Sequence, residues 1–151
     1  MESLKEMIGR HEGLRLRPYV CPAGKPTIGY GWNLENPLPP EIASYFRMRG
    51  EITEEMADEL LRISVDAATR QCRALYPGFD RFDEARRHAL IDFVFNVGAG
   101  TALKFKKMRA AIERGNWNDA ADEMIDSLWY RQVGARGREI VDMIRKGGSH
   151  A

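Results

Sequence analysis

Glycine and proline are crowded into one short stretch of this chain, and the crowding limits where β structure can form. Residues 14–34 are broken into short segments at Pro22, Gly24, Pro26, Gly29 and Gly31. Glycine readily supplies positive φ angles and proline restricts φ, which is the chemistry of hairpin turns. The sequence therefore predicts one β-hairpin region here and no convincing strand elsewhere.

Helical periodicity dominates the rest of the chain. Apolar residues three and four positions apart indicate a first helix that ends at Gly13. A second helical pattern covers about 53–75, with Thr53 as its N-cap and Pro77 as its stop. Cys72 lies within this pattern, and we interpret it as a small buried core residue.

A strongly apolar helix begins at Asp83, and its apolar residues are too many for a single stripe. It is therefore predicted to form the buried centre of a lobe, ended by Gly98 and Gly100. Shorter helices are predicted after it, at about 102–113, from Asn116 to about Ser127, and at about 137–145.

These patterns predict an α+β fold that is mainly α, in a single domain over residues 1–151. A small helix-plus-hairpin lobe covers about 13–52, and a long connecting helix covers about 53–75. A helical lobe covers about 76–146 and includes the N-terminal helix. The closing GGSHA segment is expected to be frayed.

Composition excludes several classes of function. A net charge of +1 lacks the strong basic footprint of a nucleic-acid-binding protein. No apolar run approaches a membrane span, and the first ten residues lack a signal-peptide core. We therefore expect a soluble protein made in the cytoplasm, without a membrane anchor. The two cysteines, Cys21 and Cys72, lack the paired spacing of a zinc site. We expect neither a metal nor a cofactor.

Three polar residues stand out around the predicted hairpin. Eight residues separate Glu12 from Cys21, and five separate Cys21 from Thr27. A helix end and a hairpin that pack together can bring a carboxylate, a thiol and a hydroxyl into one cleft. Taken singly, Glu12 reads as a solvated helix-end charge and Thr27 as an ordinary β-branched strand residue.

The chain resembles the phage-type lysozymes, the endolysin muramidases that include the lysozymes of T-even phages. The resemblance covers almost the whole chain, through HEGLRLRPY, TIGYG, ALIDFVFNVG and LWYRQVGARGREI in that order. It also includes the spacing of Glu12, Cys21 and Thr27, where many members have aspartate at the second position. It implies a lysozyme-like two-lobed fold with a cleft between the lobes. The implied reaction is hydrolysis of the β-1,4 bond between N-acetylmuramic acid and N-acetylglucosamine.

The resemblance also implies roles for individual residues. Glu12 matches the general acid, Cys21 the second catalytic position, and Thr27 the threonine that helps to hold the attacking water. Phe95 and Asn96 match cleft-lining positions. Asn33 and Arg136 are two further predicted substrate contacts.

Arg136 matches an arginine that pairs with the catalytic glutamate. Since a nearby cation favours the ionised acid, we interpret that pair as positioning Glu12 until substrate rearranges the cleft. Trp32 stands where familiar members have histidine, and it is expected to fill the small lobe rather than to stack on a sugar.

The role of Cys21 stays open between a thiolate base, a nucleophile and a polar neighbour of the water. A thiol reacts through its thiolate fraction, which Lys25 or Arg15 could increase. A working thiol predicts that activity rises with pH through the pKa of Cys21.

Other classes of function remain as alternatives. A lytic transglycosylase also uses one glutamate, but it releases 1,6-anhydromuramic acid. A non-catalytic peptidoglycan-binding module would not need to keep Glu12. A cysteine peptidase would pair Cys21 with His11 or His88, for which solvated histidines are the better account.

The resemblance implies bacterial peptidoglycan as the partner and host cell lysis as the outcome. The enzyme is expected to wait in the host cytoplasm until a separate pore-forming holin releases it to the cell wall. We expect it to act as a monomer.

Overall fold

A computed structural model describes residues 2–148, and it confirms the predicted α+β fold class, mainly α. The 149–151 end of the GGSHA segment lies outside the described residues. The strands are β1 (Arg15–Val20), β2 (Pro26–Gly29) and β3 (Trp32–Asn33). The helices of the described part are α1 (Leu4–Glu12), α2 (Pro40–Arg49), α3 (Glu54–Leu75), α4 (Glu84–Val97), α5 (Ala99–Lys104), α6 (Lys106–Glu113), α7 (Trp117–Ile125), α8 (Leu128–Val133) and α9 (Ala135–Lys146).

The chain forms two compact units. The small unit is Lys5–Val65, which includes most of α1, the sheet, α2 and the first half of α3. The helical unit contains 66–148 together with the described residues before Lys5. Helix α3 is continuous across the boundary between Val65 and Asp66.

The three strands form one antiparallel sheet in the order β1-β2-β3, within the predicted hairpin region. Thr27 in the middle strand pairs with Tyr19 on one side and with Asn33 on the other. The register shifts between Arg15 and Tyr19, so β1 is irregular before it reaches this row. Directly paired residues carry their side chains on the same face of a sheet.

The sheet packs on an apolar cluster that belongs to the small unit. The buried members of this cluster are Ile28, Ile42, Ile52, Ala57 and Leu60. Trp32 is partly buried against them, which confirms that it fills the small lobe.

Local signals determine where several helices begin and end. Gly13, at φ 76°, donates its N–H to the Gly9 carbonyl at 2.9 Å and ends α1, as predicted. The Thr53 hydroxyl accepts the N–H of Met56 at 3.1 Å, which confirms Thr53 as the cap of α3.

Helix α4 is the most buried helix of the helical unit, in agreement with its many apolar residues. It packs against α5 and α9, and α7 packs against α6, α8 and α9. The Asp83 carboxylate caps α4 by accepting the N–H of Arg86. Cys72 in α3 is fully buried, as predicted.

The predicted helix over 102–113 is wrong as a single element. It is two helices, α5 and α6, separated at Phe105, whose φ of −77° and ψ of 64° are not helical. The Phe105 ring packs edge-on against Phe93 at 5.0 Å, a contact distant in sequence that periodicity does not reveal. Gly100 was also wrongly placed as a helix end, because Gly98 alone ends α4 and Gly100 lies within α5.

Two helices were not predicted. Helix α2 has Pro40 at its first position and ends at Gly50, which is left-handed at φ 70°. Helix α8 begins after Ser127, whose hydroxyl accepts the N–H of Tyr130 at 3.2 Å. Both carry the usual cap residues, but each is short and has few buried positions, so its apolar periodicity is weak.

Candidate functional site

Glu12 is the last residue of α1, at the point where the chain turns into the sheet. Gly13 ends the helix, and β1 begins two residues later at Arg15. The Glu12 side chain is therefore held by a rigid element and is partly buried at the helix end. A carboxyl group held in this way can donate or accept a proton from a defined position.

Cys21 begins a tight loop that joins β1 to β2. Its N–H donates to the Lys25 carbonyl at 3.0 Å, and its own carbonyl accepts the N–H of Gly24 at 2.8 Å. The Thr27 hydroxyl donates to the same Lys25 carbonyl at 2.9 Å. The loop therefore ties the backbone of Cys21 to the side chain of Thr27 through one shared acceptor.

Hydrogen bonds of this loop lower the pKa of the Cys21 thiol below its ordinary value. The backbone N–H of Lys25 contributes most, partial burial opposes it, and the Thr27 hydroxyl and the Ala23 backbone assist. By contrast, burial raises the pKa of Cys72 to about 12. Cys21 is consequently the cysteine that ionises more readily to the reactive thiolate.

The sequence suggested that the charge of Lys25 or Arg15 would favour the Cys21 thiolate, and the structure gives a different cause. The Lys25 ammonium pairs with Glu35 at 3.0 Å. The Arg15 guanidinium lies over the Tyr19 ring, 4.8 Å from its centroid. Lys25 acts on the thiol through its backbone N–H rather than through its charge.

Thr27 has a single hydroxyl proton, which limits what it can do. That proton is donated to the Lys25 carbonyl, so the lone pairs of Oγ1 are the part available to a water molecule. If Cys21 ionises, the Thr27 hydroxyl can turn toward the thiolate. The Lys25 carbonyl is then still hydrogen-bonded, because it also accepts the N–H of Cys21. Thr27 is only 3% exposed, so it is a fixed part of the hairpin.

Tyr19 is a neighbour of this group that sequence reasoning missed. Burial raises the pKa of its phenol, and the charges of Glu12 and Cys21 raise it further. Both groups therefore lie within electrostatic range of one side chain. The β1–β2 register, which pairs Tyr19 with Thr27, could have identified it.

Asn33 completes the row across the sheet, on the side of Thr27 away from Tyr19. Its side-chain oxygen accepts the N–H of Glu35 at 2.8 Å, which stabilises the turn after β3. Its amide nitrogen lies 3.4 Å from Oε1 of Glu35. Asn33 is thus held by local bonds within the small unit.

The other predicted site residues lie in the helical unit. Arg136, in the first turn of α9, donates from Nε and a terminal nitrogen to Oδ1 of Asp92, at 3.0 and 2.5 Å. Asp92 is fully buried, and it is a partner that sequence reasoning missed. One turn later in α4, Oδ1 of Asn96 accepts the indole N–H of Trp129 at 2.7 Å. Phe95 is partly exposed at the end of the same helix.

The predicted site residues therefore fall into two groups. Glu12, Cys21, Thr27 and Asn33 lie in the small unit, and the remaining three, Phe95, Asn96 and Arg136, lie in the helical unit. The predicted pairing of Glu12 with Arg136 stays a prediction.

Neither a membrane helix nor a metal cluster is found in the part of the chain that the structure describes. No helix within residues 2–148 is long and apolar enough to cross a membrane. The same residues contain no group of three or more His, Cys, Asp or Glu side chains that could hold a metal ion.

The chain is mainly helical, has one small antiparallel sheet and carries an acidic residue where the first helix meets that sheet. This is the lysozyme-like α+β fold. The family model for phage lysozyme matches residues 9–146, and the chain belongs to that family. The four motifs that suggested this resemblance all lie within the matched range.

The relatives are distant and differ in size. Probable T4-type lysozyme 1 of Dictyostelium discoideum is 26% identical over 167 residues, which cover all of this chain and 98% of the relative. An endolysin of Acyrthosiphon pisum secondary endosymbiont phage 1 is 29% identical, over 79% of this chain and 73% of the relative. The pre-baseplate central spike protein Gp5 of Enterobacteria phage T4 is 29% identical over 96% of this chain. The chain spans only 28% of the length of that spike protein.

Proposed function

We propose that this chain is an endolysin that hydrolyses the β-1,4 bond between N-acetylmuramic acid and N-acetylglucosamine in bacterial peptidoglycan. Membership of the phage lysozyme family supports a lysozyme-like, peptidoglycan-degrading function. The observation that carries the proposal is the arrangement in the small unit: Glu12 ends α1 just before the sheet, and the Cys21 N–H and the Thr27 hydroxyl share the Lys25 carbonyl.

In the proposed reaction, Glu12 donates its proton to the glycosidic oxygen as the bond to the anomeric carbon breaks. A water molecule attacks that carbon, which carries oxocarbenium-like charge in the transition state. The lone pairs of Thr27 Oγ1 accept one hydrogen of this water and orient it. The Cys21 thiolate takes the proton that the water loses. Asn33, Phe95, Asn96 and Arg136 remain proposed contacts for the glycan.

Replacing Glu12 by Gln tests the assignment of the proton donor. Glu12→Gln nearly preserves shape, so the fold should be intact, while turnover falls by about 100- to 10,000-fold because general acid catalysis is removed. The release of reducing ends from purified peptidoglycan measures this. Glu41→Gln, an exposed change in the same unit, is the control and should keep activity. Near-normal turnover by folded Glu12→Gln would contradict the proposal.

Mass spectrometry of the same digests separates this hydrolase from the lytic transglycosylase. A hydrolase gives reducing N-acetylmuramic acid ends, whereas the transglycosylase gives 1,6-anhydromuramic acid. Binding to peptidoglycan without any product would favour the non-catalytic module.

We further propose that the enzyme causes host lysis after a separate holin opens the membrane. The endolysin relative and the family support this route. Expression of the chain alone in a bacterial cytoplasm should leave cells intact, and co-expression with a pore-forming protein should lyse them. Rapid lysis by the chain alone, with the membrane undamaged, would show another export route.

The similarity to the phage T4 spike protein favours a second candidate function, in which the same reaction is carried out by a part of a larger phage protein. The match covers 96% of this chain but 28% of that protein, so a segment similar to this chain also occurs within a larger protein. Lysis that depends on a pore-forming partner supports the endolysin role over this alternative.

A further inference from the structure

We propose that Gly31 is a positioning residue for Glu12, because the space left by its missing side chain lies directly over one face of the Glu12 carboxylate. This inference depends on the proposed catalytic role of Glu12. Gly31 lies in the turn between β2 and β3, in the same small unit as α1.

The space between Gly31 and Glu12 is too small for a Cβ atom at ordinary contact distance. A Cβ atom on Gly31 would lie 3.2 Å from Cδ of Glu12, 3.3 Å from Oε2 and 3.4 Å from Oε1. Ordinary van der Waals contact to such an atom begins at about 3.5 Å. A side chain at position 31 would therefore displace the carboxylate by a few tenths of an ångström, or move the turn.

The three distances also show which part of the carboxylate is covered. They are nearly equal, so the added atom would lie over the flat face of the group rather than in line with one oxygen. The lone pairs and the transferable proton lie in the plane of the group. The missing side chain of Gly31 thus leaves room for the Glu12 carboxylate in its present orientation, without taking up the in-plane positions where its oxygens bind.

Gly31 is also left-handed at φ 85°, which would be sufficient reason for a glycine on its own. If Gly31 is needed only for its positive φ, its replacement should behave differently than if it also positions Glu12. Gly50 has a similar φ of 70° in the same unit, and a Cβ placed there would have no heavy atom within 4 Å. Gly50 is therefore a matched control for the backbone strain alone.

The first test is thermal unfolding of Gly31→Ala and Gly50→Ala, each with Glu12 and with Glu12→Ala. The backbone strain of an alanine at positive φ should lower Tm by about 2–6 °C at either position. Gly31→Ala should cost more than Gly50→Ala when Glu12 is present, and about the same when Glu12 is replaced. An equal cost of Gly31→Ala in both backgrounds would overturn the contact.

The second test measures turnover on purified peptidoglycan, at a temperature where circular dichroism shows each variant to be folded. Displacement of a catalytic group by less than an ångström is costly, so Gly31→Ala should lower kcat at least about tenfold and change KM little. Asparagine tolerates positive φ better than alanine, but it is larger. Gly31→Asn should therefore be no more active than Gly31→Ala, whereas strain alone predicts that it recovers.

The outcomes separate this inference from the proposed function. If Glu12→Gln is inactive and Gly31→Ala or Gly31→Asn turns over normally, Gly31 does not position the acid, and the proposed function stands. If Glu12→Gln is active, the proposed function fails, and the unfolding experiment still decides whether Gly31 and Glu12 are in contact.

Discussion

Lys25 and Glu35 form an ion pair in the small unit, and Asp92 and Arg136 form one in the helical unit. The side chains of the first pair are 52% and 55% exposed, whereas Asp92 and Arg136 are 0% and 10% exposed. An exposed ion pair adds little to the free energy of unfolding, because each charge is already well solvated by water. A buried charge has lost that solvation, so the folded state depends on its partner. The exposed ion pair therefore contributes little to stability, whereas the buried pair of the helical unit is needed for it.

The largest expected effect comes from breaking the buried pair. Asp92→Ala removes a fully buried partner of the Arg136 guanidinium and should cost about 3–5 kcal/mol of unfolding free energy. Urea denaturation measures this. Asp142→Ala, which breaks an exposed pair with Lys146 in the same unit, should cost no more than about 0.5 kcal/mol. Similar losses in the two variants would remove the contrast between the two kinds of pair.

Changes at Cys21 should affect activity rather than stability. Cys21→Ala should lower turnover at least about tenfold, because the water loses its proton acceptor. Cys21→Asp should keep substantial activity, since a carboxylate can act as the same base. Full activity of Cys21→Ala would leave Glu12 and a water held by Thr27 as the whole machinery.

The same thiol gives a chemical test with pH. Because the pKa of Cys21 lies below its ordinary value, alkylation should reach half its maximal rate at a lower pH than in the denatured chain. Cys72, with a pKa of about 12, should not be labelled in the native protein. Alkylation should inactivate the wild type and spare Cys21→Asp, and a wild type that stays active when labelled would count against a working thiol.

Thr27→Val tests a buried hydroxyl that belongs to the site. The change keeps the shape of the side chain but removes its hydrogen bond to the Lys25 carbonyl. Because that carbonyl still accepts the N–H of Cys21, the stability loss should be about 1 kcal/mol. It also removes a donor to the thiolate, so the alkylation midpoint of Cys21 should move to higher pH. Turnover should fall more than stability explains. An unchanged alkylation profile would show that Thr27 does not support the thiolate.

The smallest effect is expected at the exposed pair. Glu35→Gln should lower Tm by less than about 2 °C, and added salt should reduce the difference from the wild type. Asn33→Ala is a useful companion, because it removes the acceptor of the Glu35 N–H and should cost more than the loss of the charge alone. A large loss in Glu35→Gln would mean that the hairpin, too, depends on its ion pair.

Local chemistry in the sequence was sufficient for much of this fold. Thr53 and Pro77 bracket α3 closely, and Gly13 ends α1, because caps and helix breakers act on their own neighbours. The glycine and proline residues of the hairpin confined β structure to one place for the same reason. The spacing of Glu12, Cys21 and Thr27 identified the candidate site by resemblance, since a helix end and a turn keep their order along the chain.

Tertiary structure alone decided the rest, because these features join residues far apart in the chain. Asp92 and Arg136 are 44 positions apart, and nothing near either residue indicates the other. Phe105 interrupts a helix in order to pack on Phe93, which periodicity does not show. The approach of Gly31 to Glu12 likewise depends on how the sheet folds back on α1. The sequence determined which residues could do chemistry, and packing determined which partners hold them in place.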